Sequence, residues 1–435
     1  MGLFDFLKKN ESTTLTAQPP APWEILSSMI LIPYARTSLD FDDGIRDRIS
    51  SIEGINVTEF SIPNDESSGK IKLTYEGEDY EVGFGWIDFS IPHINYYMNQ
   101  FFTEEETKAI TTAEHGLHLY MKFGKNPQRS YQLQMKIADK TMPDLAGIMD
   151  ESAEKMLCAR WVRQTAHSSV LPSPASLFNV QAVSSQSGEV WLHTHGLIRC
   201  GLTELEILQS DTKNYQNHYH VISTFASYLI DHIGDKIDSA NIGSAYIGCF
   251  YDNSPLVVTR LLWPEGLKQY KDPELGGIND RKEIHNSLTS ILFAFTSEEN
   301  QNNGVYTKIP ELNAQFENNP LFFISESETR RMSLLAREKY DCLKTALNNK
   351  DTHIIVKVGL PTAHDDSPDH EHIWFELQGF DGESFIAELT QEPYDVPDMH
   401  KGDKGTYTVN DITDWIVYTP NGQITPETAY LIMKP

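Results

Sequence analysis

The alternation of apolar and polar positions divides the chain into elements. Ile25 to Ile32 is an apolar run of buried-strand length, and runs near 55–62, 70–75 and 78–89 read as further strands. Between the first two, Ile45, Ile49 and Ile52 recur at helical spacing, with Asp40 as a cap and Gly54 as a stop. Thr103-x-x-Glu106 is a capping box opening the next helix, which Gly116 closes before a strand from Leu117 to Phe123. Pro127 suits the first position of a helix reaching about Asp139. Farther on, the pattern predicts strands near 177–184, 243–251, 255–262 and 288–296. It also predicts a helix over 214–233 with Ile222, Phe225, Ala226, Leu229 and Ile233 on one stripe. Ser325-x-x-Glu328 opens a long helix with Met332, Leu335, Ala336, Leu343 and Leu347 facing inward, ending at Asn348-Asn349. After residue 353 short strand-like runs alternate with turns at Asp381-Gly382, Gly402-Asp403 and Asn421-Gly422. The class this implies is α+β, mixed sheets with packed helices, followed by a small β-rich C-terminal module. The layout is a lead-in over 1–22 rich in Ser, Thr and Pro, an α+β domain over 23–350 whose halves divide near 172–176, and the module over 351–435.

Composition narrows this picture. At 435 residues the chain exceeds one ordinary core, so two or three domains are expected. Hydrophobic residues at 40% and aromatics at 11% place it among globular proteins rather than disordered ones. A formal charge of −27 repels phosphate backbones, which argues against nucleic acid and leaves an unknown protein partner as the expectation. Cys158, Cys200, Cys249 and Cys342 lie far apart with no C-x-x-C, which fits a reducing cytoplasm better than a disulfide framework or thiolate metal knuckle. No apolar run is long enough for a membrane span, and no export signal is read at the N-terminus. No Walker or G-x-G-x-x-G loop is present, so nucleotide binding has no support.

The candidate chemistry centres on Val190 to His195, whose β-branched and aromatic content reads as a strand. Period-two alternation puts Trp191, His193 and His195 on one face, where two imidazoles can chelate. Thr203 follows eight residues after His195 and Glu206 three after that, a spacing that resembles the His-x-His, Ser, Asp set of the JAMM zinc isopeptidases. The resemblance implies zinc on His193, His195 and Glu206, acidifying a water for hydrolysis. Gly196, Thr203 and Glu206 depart from that motif, which has Pro, Ser and Asp there, and no upstream Glu is obvious. The competing reading is two buried histidines hydrogen-bonded on a sheet face, with no metal or other cofactor. Cys200, His218 and His220 are nearby candidates of the same kind, and His364, Asp365, Asp366, His370 and His372 form a polar cluster read as a solvated linker.

In the C-terminal block stand Glu371-His372-Ile373-Trp374, Phe385-Ile386-Ala387, Glu392-Pro393, Lys401-Gly402-Asp403 and Ile412-Thr413-Asp414-Trp415-Ile416. In that order they resemble the YegJ-like family, an uncharacterised bacterial domain. His115-Gly116-Leu117-His118 and the segment 191–206 look like the companion module of the same proteins. The resemblance implies fold and compartment but no reaction. Strand spacing puts Ile412, Asp414 and Ile416 on one face and Thr413 and Trp415 on the other. Trp415 is expected to fill the module's core with Trp374, while Asp414 satisfies a local backbone donor or, failing that, faces a ligand. The function expected is that of a cytosolic, non-catalytic interaction or accessory protein, the alternative being a zinc-dependent hydrolase at His193, His195 and Glu206.

Overall fold

The computed structural model describes residues 25–35, 44–62, 68–91, 93–233, 244–281, 289–317, 319–362 and 370–432. The lead-in over 1–22, Asp40, His364, Asp365 and Asp366 fall outside them. The fold is α+β, and its contacts gather into two compact units: Met1–Ala159 with Pro172–Ser325, and Arg160–Leu171 with Glu326–Pro435.

The first unit holds two sheets. One contains β1 (Leu26–Pro33), β2 (Ile55–Ser61), β3 (Ser68–Tyr75), β4 (Glu78–Asp88), β5 (His115–Lys122), β6 (Leu145–Asp150) and β7 (Lys155–Cys158). Its order is β2-β3-β4-β5-β1-β6-β7, every pair antiparallel. The other contains β8 (Asn179–Ser184), β9 (Glu189–His195), β10 (Glu204–Asp211), β11 (Ser244–Cys249), β12 (Pro255–Leu262), β13 (Thr289–Phe295), β14 (Thr307–Lys308) and β15 (Leu321–Phe322). It runs β15-β11-β12-β13-β10-β9-β8, with β14 beside β13, and is mixed because β10 and β13 are parallel. The α-helices among the described residues are α1 (Ile45–Ser50), α2 (Glu104–Thr112), α3 (Pro127–Thr141), α4 (Ala159–His167), α5 (Tyr215–Asp231), α6 (Trp263–Gly266), α7 (Glu298–Asn303), α8 (Asn313–Phe316), α9 (Glu326–Glu338) and α10 (Asp341–Leu347).

Local chemistry accounts for most of these boundaries. At α2 the Thr103 hydroxyl accepts from the Glu106 N–H at 3.1 Å while the Glu106 carboxylate accepts from the Thr103 N–H at 2.7 Å, the reciprocal pair the spacing predicts. Gly116, expected to stop this helix, is instead the second residue of β5, and α2 already ends at Ala113. A Cβ on Gly116 would lie 2.3 Å from Ile30 Cγ2, so close packing against β1 is what demands glycine there. Asn126 caps α3 ahead of Pro127. The single helix expected over 325–349 is two, α9 and α10, and the Ser325 hydroxyl donates to Asp231 rather than serving the predicted box. The break lets the Tyr340 ring sit 5.7 Å from Phe380 and 6.1 Å from Phe385.

The second unit is one antiparallel sheet of β16 (His353–Pro361), β17 (His370–Asp381), β18 (Ser384–Leu389), β19 (Lys404–Thr408), β20 (Ile412–Thr419) and β21 (Gly422–Ile424), ordered β19-β18-β17-β16-β20-β21. Its core joins Val356, Phe375, Phe385 and Trp415 to Ala336 and Leu343 of the helices. The turns at Gly382 and Gly422 have φ of +61° and +125°, which glycine adopts at little cost. Two sequence expectations are corrected here. Ile412 and Trp415 are both fully buried, because the β16–β20 register shifts beside Thr413 and a bulge moves Ile412 to the Trp415 side. Trp374 is not in the core; it is half-buried on the opposite face with His353 and Tyr418. No helix of the described residues is long and apolar enough to cross a membrane.

Candidate functional site

Strand β9 lies between β8 and β10, and every residue from Val190 to His195 is buried. A bulge at Gln209, whose φ is +55°, sorts the facing strand. Ser210 pairs with Val190 on the side where α5 lies, and Glu206 pairs with His193 on the Trp191 side. The expected face therefore forms: the Trp191 and His193 rings stand 4.1 Å apart and the His193 and His195 rings 4.9 Å apart at 80°.

Glu206 joins this face already committed. Its side chain has 0% exposure, and Arg281 grips both oxygens, Nη1 to Oε1 at 2.6 Å and Nη2 to Oε2 at 2.7 Å. The Trp191 indole N–H adds a third donor at 3.0 Å. The same guanidinium donates to Gly276 O at 2.6 Å and lies 4.3 Å from the Trp263 ring. Glycine is required at 276, since φ is +72° and a Cβ would meet Leu208 at 2.4 Å. A planar bidentate fork between two tryptophans neutralises the carboxylate fully, so the positive charge opposite Glu206 is the guanidinium. Nothing in the sequence pattern marked Arg281; only its spacing from Gly276-Gly277, read as an isolated turn, could have drawn notice.

The other candidates are placed as follows. His195 Nε2 is 3.7 Å from the Glu154 carboxylate, which burial raises in pKa and to which Gln181 donates at 2.7 Å. Gly196 has φ of +110° and a Cβ would come 2.5 Å from Leu177 O, which is why proline cannot stand there. Thr203 shares a hydrogen bond of 2.7 Å with Ser290. Cys200 is buried, and burial pushes its thiol up to about 12, so a thiolate is disfavoured. His218 is buried between the Ser210 hydroxyl at 2.7 Å and Asn313 Oδ1 at 2.8 Å, and burial lowers its pKa to about 4. Asn313 Oδ1 can only accept, so Nε2 carries the proton and Nδ1 accepts from Ser210. Among the described residues no group of three or more His, Cys, Asp and Glu side chains is arranged to hold a metal ion.

Between β9 and β10, Arg199 is fully buried and pairs with Asp150 at 2.8 and 2.9 Å. It also donates to Ser27 at 3.2 Å and to Leu177 O, and lies 4.8 Å from the Tyr131 ring. Burial opposes its charge, yet Asp150 holds it above the ordinary arginine value. Lys155, buried nearby on Ser176 O and Phe178 O, is lowered by burial to about 8. Since Asp150 ends β6 and Arg199 follows β9, this ion pair ties the two sheets of the first unit together.

A further cluster escaped the sequence reading except through His118. The Ser28 hydroxyl donates to Glu151 at 2.5 Å and accepts from His118 Nε2 at 2.6 Å, while that same nitrogen is 3.4 Å from Glu151. In a catalytic triad the imidazole bridges nucleophile and acid through its two different nitrogens. Here one nitrogen meets both, and burial lowers His118 and raises Glu151 toward their neutral forms. The cluster pins β1 to β5 and to the turn after β6.

In the second unit the Asp414 carboxylate accepts the N–H of Trp415 at 2.8 Å, the local backbone donor that was expected. The Trp415 indole donates to Ala336 O at 3.0 Å.

No curated protein and no solved structure matches the chain. Family models do match, in three successive stretches. Residues 27–172 match a protein of unknown function (DUF4026), N-terminal, and residues 180–293 its C-terminal counterpart. Residues 331–432 match an uncharacterised protein conserved in bacteria (DUF2314). Successive stretches of the chain are thus similar to the two DUF4026 models and then to a DUF2314 model, all of unknown function.

Proposed function

We propose that the protein is a non-catalytic interaction or accessory protein of the bacterial cytosol, acting on an unknown protein partner rather than on nucleic acid or membrane, with a C-terminal module of the YegJ-like kind. The observation that carries this reading is the commitment of Glu206 to a buried cation. Arg281 forks across both oxygens of this carboxylate and Trp191 adds a second donor to Oε2, so the guanidinium already supplies the counter-charge and its own charge opposes a metal ion beside it. The buried, unbridged cysteines support a reducing compartment. No cofactor is part of this reading.

A second reading, a zinc-dependent hydrolase on His193, His195 and Glu206, keeps one observation in its favour. His193 and Glu206 are register partners, and the His195 ring adjoins that of His193. Metal content of protein purified without a histidine tag separates the two. The first reading predicts substoichiometric metal, the same in wild type, His193→Ala and Glu206→Gln. One zinc per chain that both substitutions abolish would establish the second.

A further inference from the structure

Within a chain of formal charge −27, one groove of the second unit concentrates positive charge. Arg330, Ser333 and Arg337 of α9 wall one side, and His370 and His372 of β17 the other, around a cavity of about 390 Å³. That volume falls in the range of small-molecule sites, about 300–1,000 Å³. Positions 330, 333 and 337 lie on one helical stripe about 10 Å long, so the two guanidinium groups can meet separate anionic groups of one molecule.

Among the described lining residues the fixed charges do not cancel, since two guanidinium groups face one carboxylate, Asp411. One oxygen of Asp411 is turned to Thr408, accepting from its N–H at 2.7 Å and its hydroxyl at 2.9 Å. Arg337 uses Nε on Ile412 O at 2.8 Å, which orients its guanidinium while leaving both terminal nitrogens for a ligand. His372 is held through Nδ1 by Thr413 at 3.2 Å, so Nε2 is the nitrogen left to meet a ligand. Burial lowers its pKa, and the neighbouring charges of Lys357 and His370 lower it further. An anion in the groove would relieve that repulsion.

We propose that this groove binds the phosphate or carboxylate groups of a small polyanionic molecule, with Arg330, Arg337, His370 and His372 as the recognising side chains. Planar guanidinium forks suit both oxyanions, and the histidines add donors from the facing strand. This site is independent of the His193 strand and of whether the protein is catalytic.

The test is calorimetric titration of the full chain with inorganic pyrophosphate and, separately, citrate, at constant ionic strength. Wild type should bind at least one, the preferred probe revealing whether phosphate or carboxylate is the native group. Arg330→Ala and His370→Asn should each weaken binding about tenfold, a decade being about 1.4 kcal/mol. Both positions are exposed, so the variants should melt as wild type does, which a scan would verify. Lys213→Ala, an exposed cation of the first unit, should leave binding unchanged. Failure of both anions to bind at millimolar concentration would overturn the proposal. So would binding that survives Arg330→Ala and His370→Asn, or that falls equally with Lys213→Ala.

Discussion

The two units place their buried charge differently. The first sinks charge among its sheets: Arg199 on Asp150, Arg281 on Glu206, and Lys155 on two carbonyls, all at or below 8% side-chain or residue exposure. The second also buries Arg331, at 8% exposure against Glu328 and Glu427, but its sheet core is apolar, with Trp415, Phe375 and Phe385 fully buried, and its groove cations stay accessible to solvent. Histidines and acids in one strand therefore do not by themselves announce a site. In the first unit these residue types are consumed by packing. In the second, cations that drew little notice in the sequence are the ones left able to meet a ligand.

The largest effects should come from breaking the buried pairs. Arg199→Ala strands Asp150 without a counter-charge and should cost about 3–5 kcal/mol, and Glu206→Gln about as much by stranding Arg281. If burial rather than attraction sets this cost, the double variant Asp150→Asn with Arg199→Met should lose less than Arg199→Ala alone in urea unfolding. Equal or greater loss would mean the pair is held by its own Coulomb energy. In the apolar unit the comparable change is Trp415→Ala, expected to cost about 3–5 kcal/mol through the cavity left behind. Asp414→Asn should cost about 0.5 kcal/mol or less, because the amide oxygen can still accept the Trp415 N–H. An Asp414→Asn loss as large as that of Trp415→Ala would contradict the local capping role.

A smaller effect follows from titration in the first unit. His218 stays neutral when folded, its pKa lowered to about 4, so the unfolded chain takes up the proton first. Its contribution is complete above the free value of about 6.5 and is lost as pH falls from there toward 4. Glu204 has the opposite sign. Burial raises it to about 7 against donors from Thr194, Ile198 and Gly196, so the folded state holds the extra proton and stability falls as pH rises through the window of about 4.5 to 7. Over the shared window the two contributions oppose each other, so relative to wild type the urea midpoints should tilt toward higher stability at low pH in His218→Gln and toward lower stability at low pH in Glu204→Gln. Parallel profiles for all three proteins would refute these assignments.

Much of the fold was legible because its signals are local. The Thr103 capping box, Pro127 at a helix start and the Gly382 and Gly422 turns are each set by a few neighbouring residues. The strand carrying His193 and His195 was found by alternation, and so was its shared face. What alternation cannot register is an inserted residue. The bulge beside Thr413 reversed the expected side of Ile412, and the one at Gln209 decides which face Ser210 takes. Partners distant in sequence were also out of reach: Arg281 lies 75 positions from Glu206 and Asp150 49 from Arg199. Counting residues along the motif could propose Glu206 as a ligand, but only the fold brings the guanidinium that occupies it. The groove depends on α9 packing on β20, two strands from β17, which no periodicity foretells.

Whether His193, His195 and Glu206 serve as a packed structural face or as a metal centre is decided by the thermal melt of wild type, His193→Ala and the His193→Ala, His195→Ala double variant, each with and without a strong chelator. A structural role predicts that chelator leaves every curve in place and that His193→Ala lowers stability by about 1–3 kcal/mol in either condition. A wild-type curve that drops on chelation to that of the untreated double variant would rule out the structural role and make these histidines metal ligands.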